Sequence, residues 1–416
     1  MKIALLTLGC KLNFAETATY ERGFLAAGLE VVPWSEAADV YLINTCSVTA
    51  TADAKSRNLI RKVHRIQPGA HIIVTGCSAE LRRAEIGRIE GVSRVFGATE
   101  KGLVVPQTLS LLGLAAPEAP LTASVFPAYS AAESRTRAFL KVQDGCNNYC
   151  KYCTVPYARG ESRNLSIAEC VRNAERIAAQ GVKEIVLTGV NTGDFGRTTG
   201  ESFLDLLKAL DGVEGIARYR ISRIEPNLLT EEIVDWIASG TKFQPHFHIP
   251  LQTGSDELLA RMGRRYDTAF FAAQLEMIRR KMERPGALKV FFGIDVMVGL
   301  PGETEALFRE TFRFIERVHP AFIHVFPYSR RPGTPAAAMS GQVDEVTKKH
   351  RVAVLEELCR SLHDDFRAQN RGLPAQVLFE STERGGQMEG YTGNYIRIAR
   401  PYDPALVNAL VDIVID

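Results

Sequence analysis

The chain has 416 residues, of which 46% are hydrophobic and 24% are charged, and its formal net charge is +2. This composition is typical of folded globular proteins and excludes disordered and collagen-like chains. At about 150 residues per domain, the length predicts two to three domains. Because positive and negative charges nearly balance over the whole chain, any positively charged surface for a polyanionic partner must be confined to one part of the protein.

The first ten residues, MKIALLTLGC, imitate a lipoprotein signal, because a lysine and an apolar run precede Leu-Gly-Cys. The apolar run at residues 3–8 is shorter than the roughly 7–15 residues of a signal h-region. We therefore predict a buried strand there. No apolar run reaches the roughly 18 residues of a membrane-spanning helix, so we expect a cytoplasmic protein with no membrane partner.

Residues 1–104 alternate β-rich runs with helical stretches, the βαβ pattern of a parallel sheet. The predicted strands are 3–8, 40–44, 72–75 and 94–96, and the predicted helices include 15–26 and 52–65. Cys10, Cys46 and Cys77 each follow one of these strands. Since ligands of open α/β sheets collect beyond the carboxyl ends of the strands, the three cysteines are expected to converge.

Four prolines between residues 105 and 134 predict a linker. A second βα series follows in a domain expected at residues 135–340, with strands at 138–142, 184–187, 218–222, 247–249, 290–297 and 323–325. The helices between them are predicted at 167–179, 203–210, 230–238, 269–281 and 305–318. This series predicts an incomplete version of the eight-stranded barrel, with functional loops at the carboxyl ends of the strands.

A long helix is predicted at residues 343–369, within a connecting segment at 341–371. Residues 372–416 predict short strands at 377–380, 395–399 and 410–415, with glycine turns at Gly385, Gly386 and Gly393. Such a pattern is typical of a small β-barrel or sheet. The expected fold class is therefore α/β: an open parallel α/β sheet, a partial (β/α)6 barrel and a small C-terminal β module.

The most specific motif is the C-x3-C-x2-C run of Cys146, Cys150 and Cys153, directly after the first barrel strand. One explanation is that the three cysteines lie along one face of a helix and bind nothing, because positions at this spacing share a helix face. A zinc site is another, but it needs four ligands, and His246 or His248 would have to supply the fourth. The third is an iron–sulfur cluster, in which three thiolates leave one iron open to a substrate or cofactor.

This spacing, with an aromatic residue before the third cysteine, resembles the radical S-adenosylmethionine (SAM) superfamily. The resemblance implies that the three cysteines are catalytic and hold a [4Fe–4S] cluster whose open iron chelates SAM. Reduction then splits SAM into methionine and a deoxyadenosyl radical. Cofactor contacts are expected from Tyr152, Gly189, Asn191, Ser222, Glu225, Gln252, Asp295 and Val298.

The segments around Cys10, Cys46 and Cys77 look like the amino-terminal domain of methylthiotransferases, which implies a second [4Fe–4S] cluster on these three cysteines. The last 45 or so residues are similar to a shortened TRAM module. Gly-Cys-Lys-Leu-Asn at residues 9–13 and the segment at 389–395 resemble the threonylcarbamoyladenosine branch. The isopentenyladenosine branch usually has Gln-Met-Asn after the first cysteine.

The resemblance implies an enzyme that replaces the hydrogen on carbon 2 of a threonylcarbamoyl-modified adenine, next to the anticodon of tRNA, with a methylthio group. SAM would serve twice, to methylate sulfur at the second cluster and to generate the radical. The implied partners are the anticodon stem-loop of tRNA, an electron donor such as a flavodoxin or ferredoxin, and a sulfur source. Two alternatives are methylthiolation of isopentenyladenosine or a ribosomal protein, and a non-catalytic, metal-stapled RNA-binding protein.

A basic segment follows Cys46: five of the eleven residues from Lys55 to Arg65 are lysine or arginine, and none is acidic. Arg57, Arg61 and Arg65 share one helix face, which is either a solvated face or a phosphate contact. Because this helix lies near the proposed second cluster, we predict that the three arginines bind RNA. The C-terminal module, with three arginines and six acidic residues from 375 to 416, is unexpectedly acidic for an RNA clamp.

Overall fold

The computed structural model describes residues 1–115, 126–130 and 136–416. The amino-terminal strands are β1 (Lys2–Thr7), β2 (Glu30–Val32), β3 (Val40–Thr45), β4 (His71–Gly76) and β5 (Val92–Val95). Their helices are α1 (Lys11–Ala26), α2 (Ala50–Ile66), α3 (Cys77–Leu81), α4 (Arg83–Gly87) and α5 (Val104–Leu111). The strands form one parallel sheet in the order β2-β1-β3-β4-β5. Strand β3 is buried along its whole length, as expected for a central parallel strand covered on both faces.

Two elements of this unit differ from the sequence prediction. Strand β2 has three residues, too few to show an alternating pattern. Helix α5 lies where a linker is predicted, because Val104 and Leu109 are buried in a core that also contains Phe24 of α1. The first part of the segment at 105–134 is therefore folded onto the sheet. Of the remainder, residues 116–125 and 131–135 lie outside the described residues.

The central strands are β6 (Arg137–Lys141), β7 (Gln143–Asp144), β8 (Arg163–Asn164), β9 (Glu184–Thr188), β10 (Arg218–Ile221), β11 (His246–Gln252), β12 (Phe291–Val298) and β13 (Phe322–Pro327). The helices are α6 (Val155–Arg159), α7 (Ile167–Ala178), α8 (Phe203–Asp211), α9 (Glu231–Ala238), α10 (Asp256–Arg261), α11 (Thr268–Met282), α12 (Glu305–Val318) and α13 (Pro335–Ala338). Parallel sheets β6-β9-β10 and β11-β12-β13 are joined by bridges from Tyr219 to Phe243 and from Arg223 to His248. The predicted partial (β/α)6 barrel is confirmed.

Side chains alternate along the barrel strands between the helix layer and the barrel interior. Residues such as Leu140, Leu187 and Ile294 belong to the large core beneath the helices. The alternate positions face the interior, which we call the lumen, and many of them are charged. The lumen-facing residues include Arg137, Phe139, Glu184, Val186, Arg220, His246, His248, Asp295 and His324.

The carboxyl-terminal unit begins with the long helix α14 (Glu345–Gln369). Four strands follow, β14 (Pro374–Arg384), β15 (Gln387–Thr392), β16 (Arg397–Pro401) and β17 (Leu410–Val414). They form an antiparallel sheet in the order β16-β15-β14-β17, which confirms the small β module. The sequence prediction misses β15, whose glycine-containing sequence is typical of a turn. None of the helices in the described part of the chain combines the length and apolarity needed to cross a membrane.

The buried Arg220 and the partly buried Arg137 fasten this module to the barrel strands. The Arg220 guanidinium donates hydrogen bonds to the carbonyl oxygens of Thr392 and Gly393, at 2.8 and 2.7 Å, and pairs with Glu184 at 2.7 Å. Arg137 pairs with Glu380 of β14 at 2.7 Å. Because a buried charge is tolerated only when it is paired and hydrogen-bonded, these contacts fix the module in place. It closes one end of the lumen.

Candidate active site

The cysteines of the C-x3-C-x2-C motif lie on the loop between β7 and α6. Gly145 starts this loop with a φ of 72°, and a side chain there would collide with the Glu161 carbonyl oxygen, so only glycine fits. Backbone N–H groups of Asn148 and Val155 donate to the Sγ atoms of Cys146 and Cys153, each at 3.4 Å. Such donors stabilise thiolates and tune clusters that are bound to them.

Burial has the largest effect on the pKa values of two of these thiols. It raises the pKa of Cys146 and raises the pKa of Cys153 to about 12. Arg264 donates from Nη1 to Cys150 Sγ at 3.1 Å, placing a positive charge against the third sulfur. The Cys146 and Cys153 thiols are therefore protonated when no metal is bound, and metal binding must displace their protons. The donor set of three free cysteines, two N–H groups and one guanidinium fits an anionic iron–sulfur cluster.

The second set of cysteines comes from three separate loops, after β1, β3 and β4. Gly9 has a φ of 101°, and a Cβ atom there would lie 2.8 Å from Cys46 Sγ, so the loop of Cys10 rests directly on Cys46. The Asn13 side-chain amide joins these loops by donating to the carbonyl oxygens of Leu8 and Thr45, at 2.8 and 3.0 Å. The Cys10 and Cys46 loops are thus tied together at the carboxyl edge of the sheet.

A second hydrogen-bond pair ties the Cys46 loop to the Cys77 loop. The Thr45 hydroxyl donates to the Thr75 carbonyl oxygen at 2.6 Å and accepts from the Ala79 N–H of α3 at 3.1 Å. Burial raises the pKa of Cys46 to about 11 and also raises that of Cys77, and the thiol groups of the trio act on one another electrostatically. The sheet topology therefore brings together cysteines that are distant in sequence.

A buried ion network lies between the amino-terminal sheet and the barrel. Glu16 Oε1 accepts from Lys101, Lys141 and Arg159 at 2.7, 2.9 and 3.2 Å. Asp144 pairs with Arg159 at 2.8 Å and with Lys141 at 2.6 Å. These five side chains are at most 3% exposed and comprise three cations and two anions. The excess positive charge lies beside the second set of cysteines, where Arg159 lowers the pKa of Cys77 against the larger effect of burial.

A cavity of about 220 Å³ opens beside the barrel cysteines, and Cys146, Cys150 and Cys153 line it. Val48 and Thr49, on the loop that follows Cys46, line the same cavity. That loop is fastened to the barrel, because Ala50 N–H donates to Ser329 Oγ at 3.0 Å and Asp53 pairs with Arg331. The loop that follows Cys46 therefore borders the same cavity as the barrel cysteines.

Five of the eight residues predicted to contact a cofactor line this cavity: Tyr152, Asn191, Glu225, Gln252 and Asp295. Gln252 Nε2 is buried and has no hydrogen-bond partner among the described residues. A buried, unsatisfied amide is costly, so this donor indicates a polar ligand at the cavity wall.

The other three predicted residues lie elsewhere. Val298 is fully buried in the core beneath the helices. Gly189 lies against Gln143, where a Cβ atom would approach Oε1 to 2.9 Å, and Ser222 is buried at the end of β10. Neither is among the residues that line the cavity. The sequence can therefore show that a residue follows a strand and lies at the correct edge of the barrel. It does not show whether the side chain of that residue lines the cavity.

Three arginines that the sequence prediction does not place at the site also line the cavity. Arg223 follows β10, Arg264 follows α10 and Arg331 follows β13. Arg264 pairs with Glu225 and contacts Tyr152 Oη at 3.4 Å, so it connects the cysteine loop to the cavity wall. Single arginines in separate loops have no spacing that distinguishes them from surface residues.

An aspartate and two histidines lie where the cavity meets the lumen. His248 Nε2 and Asp295 Oδ1 are 2.7 Å apart, and Arg223 Nε lies 3.8 Å from Asp295 Oδ2. Burial opposes ionisation of Asp295, but the His248 hydrogen bond and the Arg223 charge hold its pKa well below the usual value. The His324 ring stacks on His248 at 5.0 Å, and burial lowers the pKa of His324. Asp295 is therefore ionised and His324 neutral at neutral pH.

The basic face of α2 differs from the prediction at one residue. Arg57 is half-buried and pairs with Glu85 of α4 at 3.3 Å, so an acidic partner comes from outside the basic segment. Arg61 and Arg65 are exposed and line a surface groove with Arg88, next to Glu85 and Glu90. The two exposed arginines, rather than all three, are available to an anionic partner.

Comparisons with known proteins agree with this architecture. The family model described as the Radical SAM superfamily matches residues 140–315, and the one described as uncharacterized protein family UPF0004 matches residues 2–97. The chain is 40% identical to the threonylcarbamoyladenosine tRNA methylthiotransferase MtaB of Bacillus subtilis, over 95% of this chain and 89% of that protein. The chain belongs to the radical SAM methylthiotransferase family, in its threonylcarbamoyladenosine branch.

Other members of this methylthiotransferase family are also similar. The MtaB protein of Aquifex aeolicus is 35% identical over 96% of this chain and 97% of its own length. The tRNA-2-methylthio-N(6)-dimethylallyladenosine synthase of Dictyoglomus thermophilum is 32% identical over 95% of this chain and 91% of its own length. The solved structure of the radical SAM methyltransferase TsrM from Kitasatospora setae has a TM-score of 0.58 at 15% identity, covering 81% of this chain and 77% of that one. This last similarity concerns the fold alone.

The described residues contain no ligand group for the zinc alternative. In residues 1–115, 126–130 and 136–416, no three His, Cys, Asp or Glu side chains come together as closely as one metal ion requires. His246 stacks on Phe291 at 5.0 Å, and His248 is engaged by Asp295. Ligands of zinc share a single ion at about 2.3 Å, whereas each thiolate of a [4Fe–4S] cluster binds a different iron.

Proposed function

We propose that this protein adds a methylthio group to carbon 2 of N6-threonylcarbamoyladenosine in tRNA, with one [4Fe–4S] cluster at each set of cysteines. The observation that carries the proposal is the shared cavity, lined by Cys146, Cys150 and Cys153 and by the loop that follows Cys46. A transfer between two cofactors requires that both reach one substrate atom. A binding module has no need of this arrangement.

The residues on the cavity wall have separable roles in this proposal. When bound, the two clusters and SAM supply the electron transfer, radical formation and sulfur delivery that the side chains cannot supply. Gln252 and Asn191 offer amide groups to the polar part of SAM, and Glu225 offers a carboxylate to its hydroxyl or amino groups. Arg264 holds Glu225 and Cys150 in one hydrogen-bonded unit, which fixes the cofactor wall relative to the cysteine loop.

Exposed apolar side chains at the cavity support binding of an extruded base. Val48, Tyr149 and Phe326 line the cavity although they are 62%, 51% and 44% exposed. Enzymes that modify a base take it out of the stack and hold it between aromatic and apolar side chains. We assign these three residues to gripping the adenine and excluding water from carbon 2. Arg61 and Arg65 on α2 would contact the phosphates of the anticodon stem-loop.

The atoms balance with two molecules of SAM. One would give its methyl group to sulfur and leave as S-adenosylhomocysteine, and the deoxyadenosyl radical from reductive cleavage of the other would accept the hydrogen atom removed from carbon 2. The C–H bond is replaced by a C–S bond, and methionine and deoxyadenosine leave. A low-potential donor of the flavodoxin or ferredoxin class supplies the electrons, and a sulfur source replaces the sulfur that is consumed.

Mass spectrometry of tRNA nucleosides from cells with and without the gene tests this function. We expect methylthio-threonylcarbamoyladenosine to disappear in the deletion strain, with its unmodified precursor accumulating, and to return with the plasmid-borne gene. Loss of the methylthio-isopentenyl nucleoside instead would contradict the substrate assignment. An unchanged nucleoside profile would contradict the function.

A further inference from the structure

The first turn of α1 lies over the inner side of the barrel. Ala15 of α1 packs in one apolar cluster with Phe139 of β6 and Val186 of β9, two residues at lumen-facing positions. Lys11 is four residues earlier on the same helix, and residues at this spacing share a helix face. The Lys11 side chain therefore starts from the face of α1 that covers the lumen.

The surroundings of the Lys11 ammonium group confirm this direction. Its electrostatic neighbours are Arg137, Arg220, Glu184 and Asp295, which belong to β6, β10, β9 and β12. Its charge also acts on the lumen histidines of β11 and β13.

Lys11 is unusual among the cations of the lumen because it is unpaired. Within the described part of the chain, it forms no ion pair or hydrogen bond, and the residue is exposed. The neighbouring arginines each have a carboxylate partner: Arg137 with Glu380, Arg220 with Glu184, and Arg223 with Asp295. The charges of Arg137 and Arg220 act against the unpaired charge of Lys11, and an incoming anion would offset that repulsion.

The substrate named above carries such an anion. The threonylcarbamoyl group attaches threonine to the adenine through a urea linkage and ends in a free carboxylate, whereas an isopentenyl group is uncharged. Asp295 lines the cavity and is also a neighbour of Lys11, so the space near Lys11 adjoins the space proposed for the base. The substituent on N6 of a base bound in the cavity can therefore extend into the lumen.

We propose that Lys11 is a specificity-determining residue that binds the carboxylate of the threonylcarbamoyl group in the lumen, an inference that rests on the proposed function. Arg137, Arg220 and Arg223 keep their own carboxylates, which leaves Lys11 as the cation that the substrate engages. The ionised Asp295 repels a carboxylate at the lumen entrance and so favours its placement at Lys11.

Binding measurements with two stem-loop RNAs test the proposal. The RNAs are identical except that the threonyl carboxylate is free in one and converted to the uncharged carboxamide in the other. We expect the wild-type protein to bind the carboxylate RNA about tenfold or more tightly, as is typical of a charge-assisted hydrogen bond. Lys11→Gln should bind the two RNAs equally, and Lys11→Arg should keep the preference. Lys349→Gln, which removes an exposed lysine from α14, is the charge-matched control and should behave as wild type.

Equal binding of the two RNAs by the wild-type protein, or a preference that persists in Lys11→Gln, would overturn the role of Lys11. Lys11→Met is a second neutral variant if Lys11→Gln does not fold, and iron content checks both variants because Cys10 is adjacent. Binding requires no turnover, so the test is separate from the proposed function. A wild-type protein that prefers the carboxylate RNA but methylthiolates neither RNA would refute the function and leave the recognition standing.

Discussion

The two sets of cysteines in this protein are built in opposite ways. Cys146, Cys150 and Cys153 belong to one short loop, so their spacing in the sequence is enough to reveal them. Cys10, Cys46 and Cys77 belong to three loops and meet only because β1, β3 and β4 are neighbours in one parallel sheet. A local site can be found from a motif, whereas a topological site can be found only by placing each cysteine after its strand.

The two sets also differ in how the protein surrounds the sulfur atoms. The barrel cysteines receive backbone N–H groups and the Arg264 guanidinium. The amino-terminal cysteines lie beside a buried network that carries one excess positive charge and reaches them through Arg159. The first environment is supplied by the barrel alone, whereas the second exists only when the sheet and the barrel are assembled. The predictions below test this difference.

The largest effect is expected from the barrel loop. Cys146→Ala should reduce SAM cleavage below detection, because two thiolates cannot hold the open cluster. The assay is deoxyadenosine formation after anaerobic reconstitution. Cys170→Ala, which changes a fully buried cysteine of the barrel core, is the control and should retain cleavage. Cleavage at the wild-type rate in Cys146→Ala would contradict the assignment of this loop.

Cys46→Ala should separate the two halves of the reaction. The barrel loop keeps all three of its cysteines, so deoxyadenosine should still form, while no methylthio product should appear. Quantifying both products in one reaction with the modified stem-loop measures the separation. Methylthio product at the wild-type rate would show that the amino-terminal cysteines do not take part in sulfur transfer.

The buried network should make a large contribution to stability. Glu16→Gln removes the carboxylate shared by Lys101, Lys141 and Arg159. Breaking a buried ion pair costs about 3–5 kcal/mol, and we expect a loss of this order in the free energy of unfolding in urea. Glu90→Gln alters an exposed carboxylate and should change stability by less than about 0.5 kcal/mol. Equal stability of the two variants would mean that the network does not hold the two regions together.

The smallest effect is expected on the surface. Changing Arg61 and Arg65 to Glu should reduce the log–log salt slope of tRNA binding by about 1.4–1.8, the value for two lost phosphate contacts. Arg57→Gln should leave the slope near that of wild type, because Arg57 already pairs with Glu85. A filter-binding titration over a range of salt concentrations distinguishes these outcomes. A slope unaffected by the double substitution would identify the face of α2 as merely solvated.

Much of the fold could be predicted because the spacing of apolar residues along the chain indicates which faces of the helices and strands are buried. The all-buried strand β3 and the six barrel strands have clear apolar patterns, whereas β2 is too short and the glycine in β15 imitates a turn. The site is predictable where a polar residue belongs to a motif, as with Asn191 and Gln252. It is not predictable where a long side chain reaches in from another loop, as with Arg331, or where the partner is distant in sequence, as with Arg57 and Glu85.

The iron and acid-labile sulfide content of the reconstituted protein tests most directly whether the two sets of cysteines hold two clusters. We predict about eight irons and eight sulfides per wild-type chain. We predict about four of each when Cys10, Cys46 and Cys77 are all changed to Ala, and about four when Cys146, Cys150 and Cys153 are changed instead. A wild-type protein with about four irons, or loss of all iron in either triple variant, would contradict two independent clusters facing one cavity.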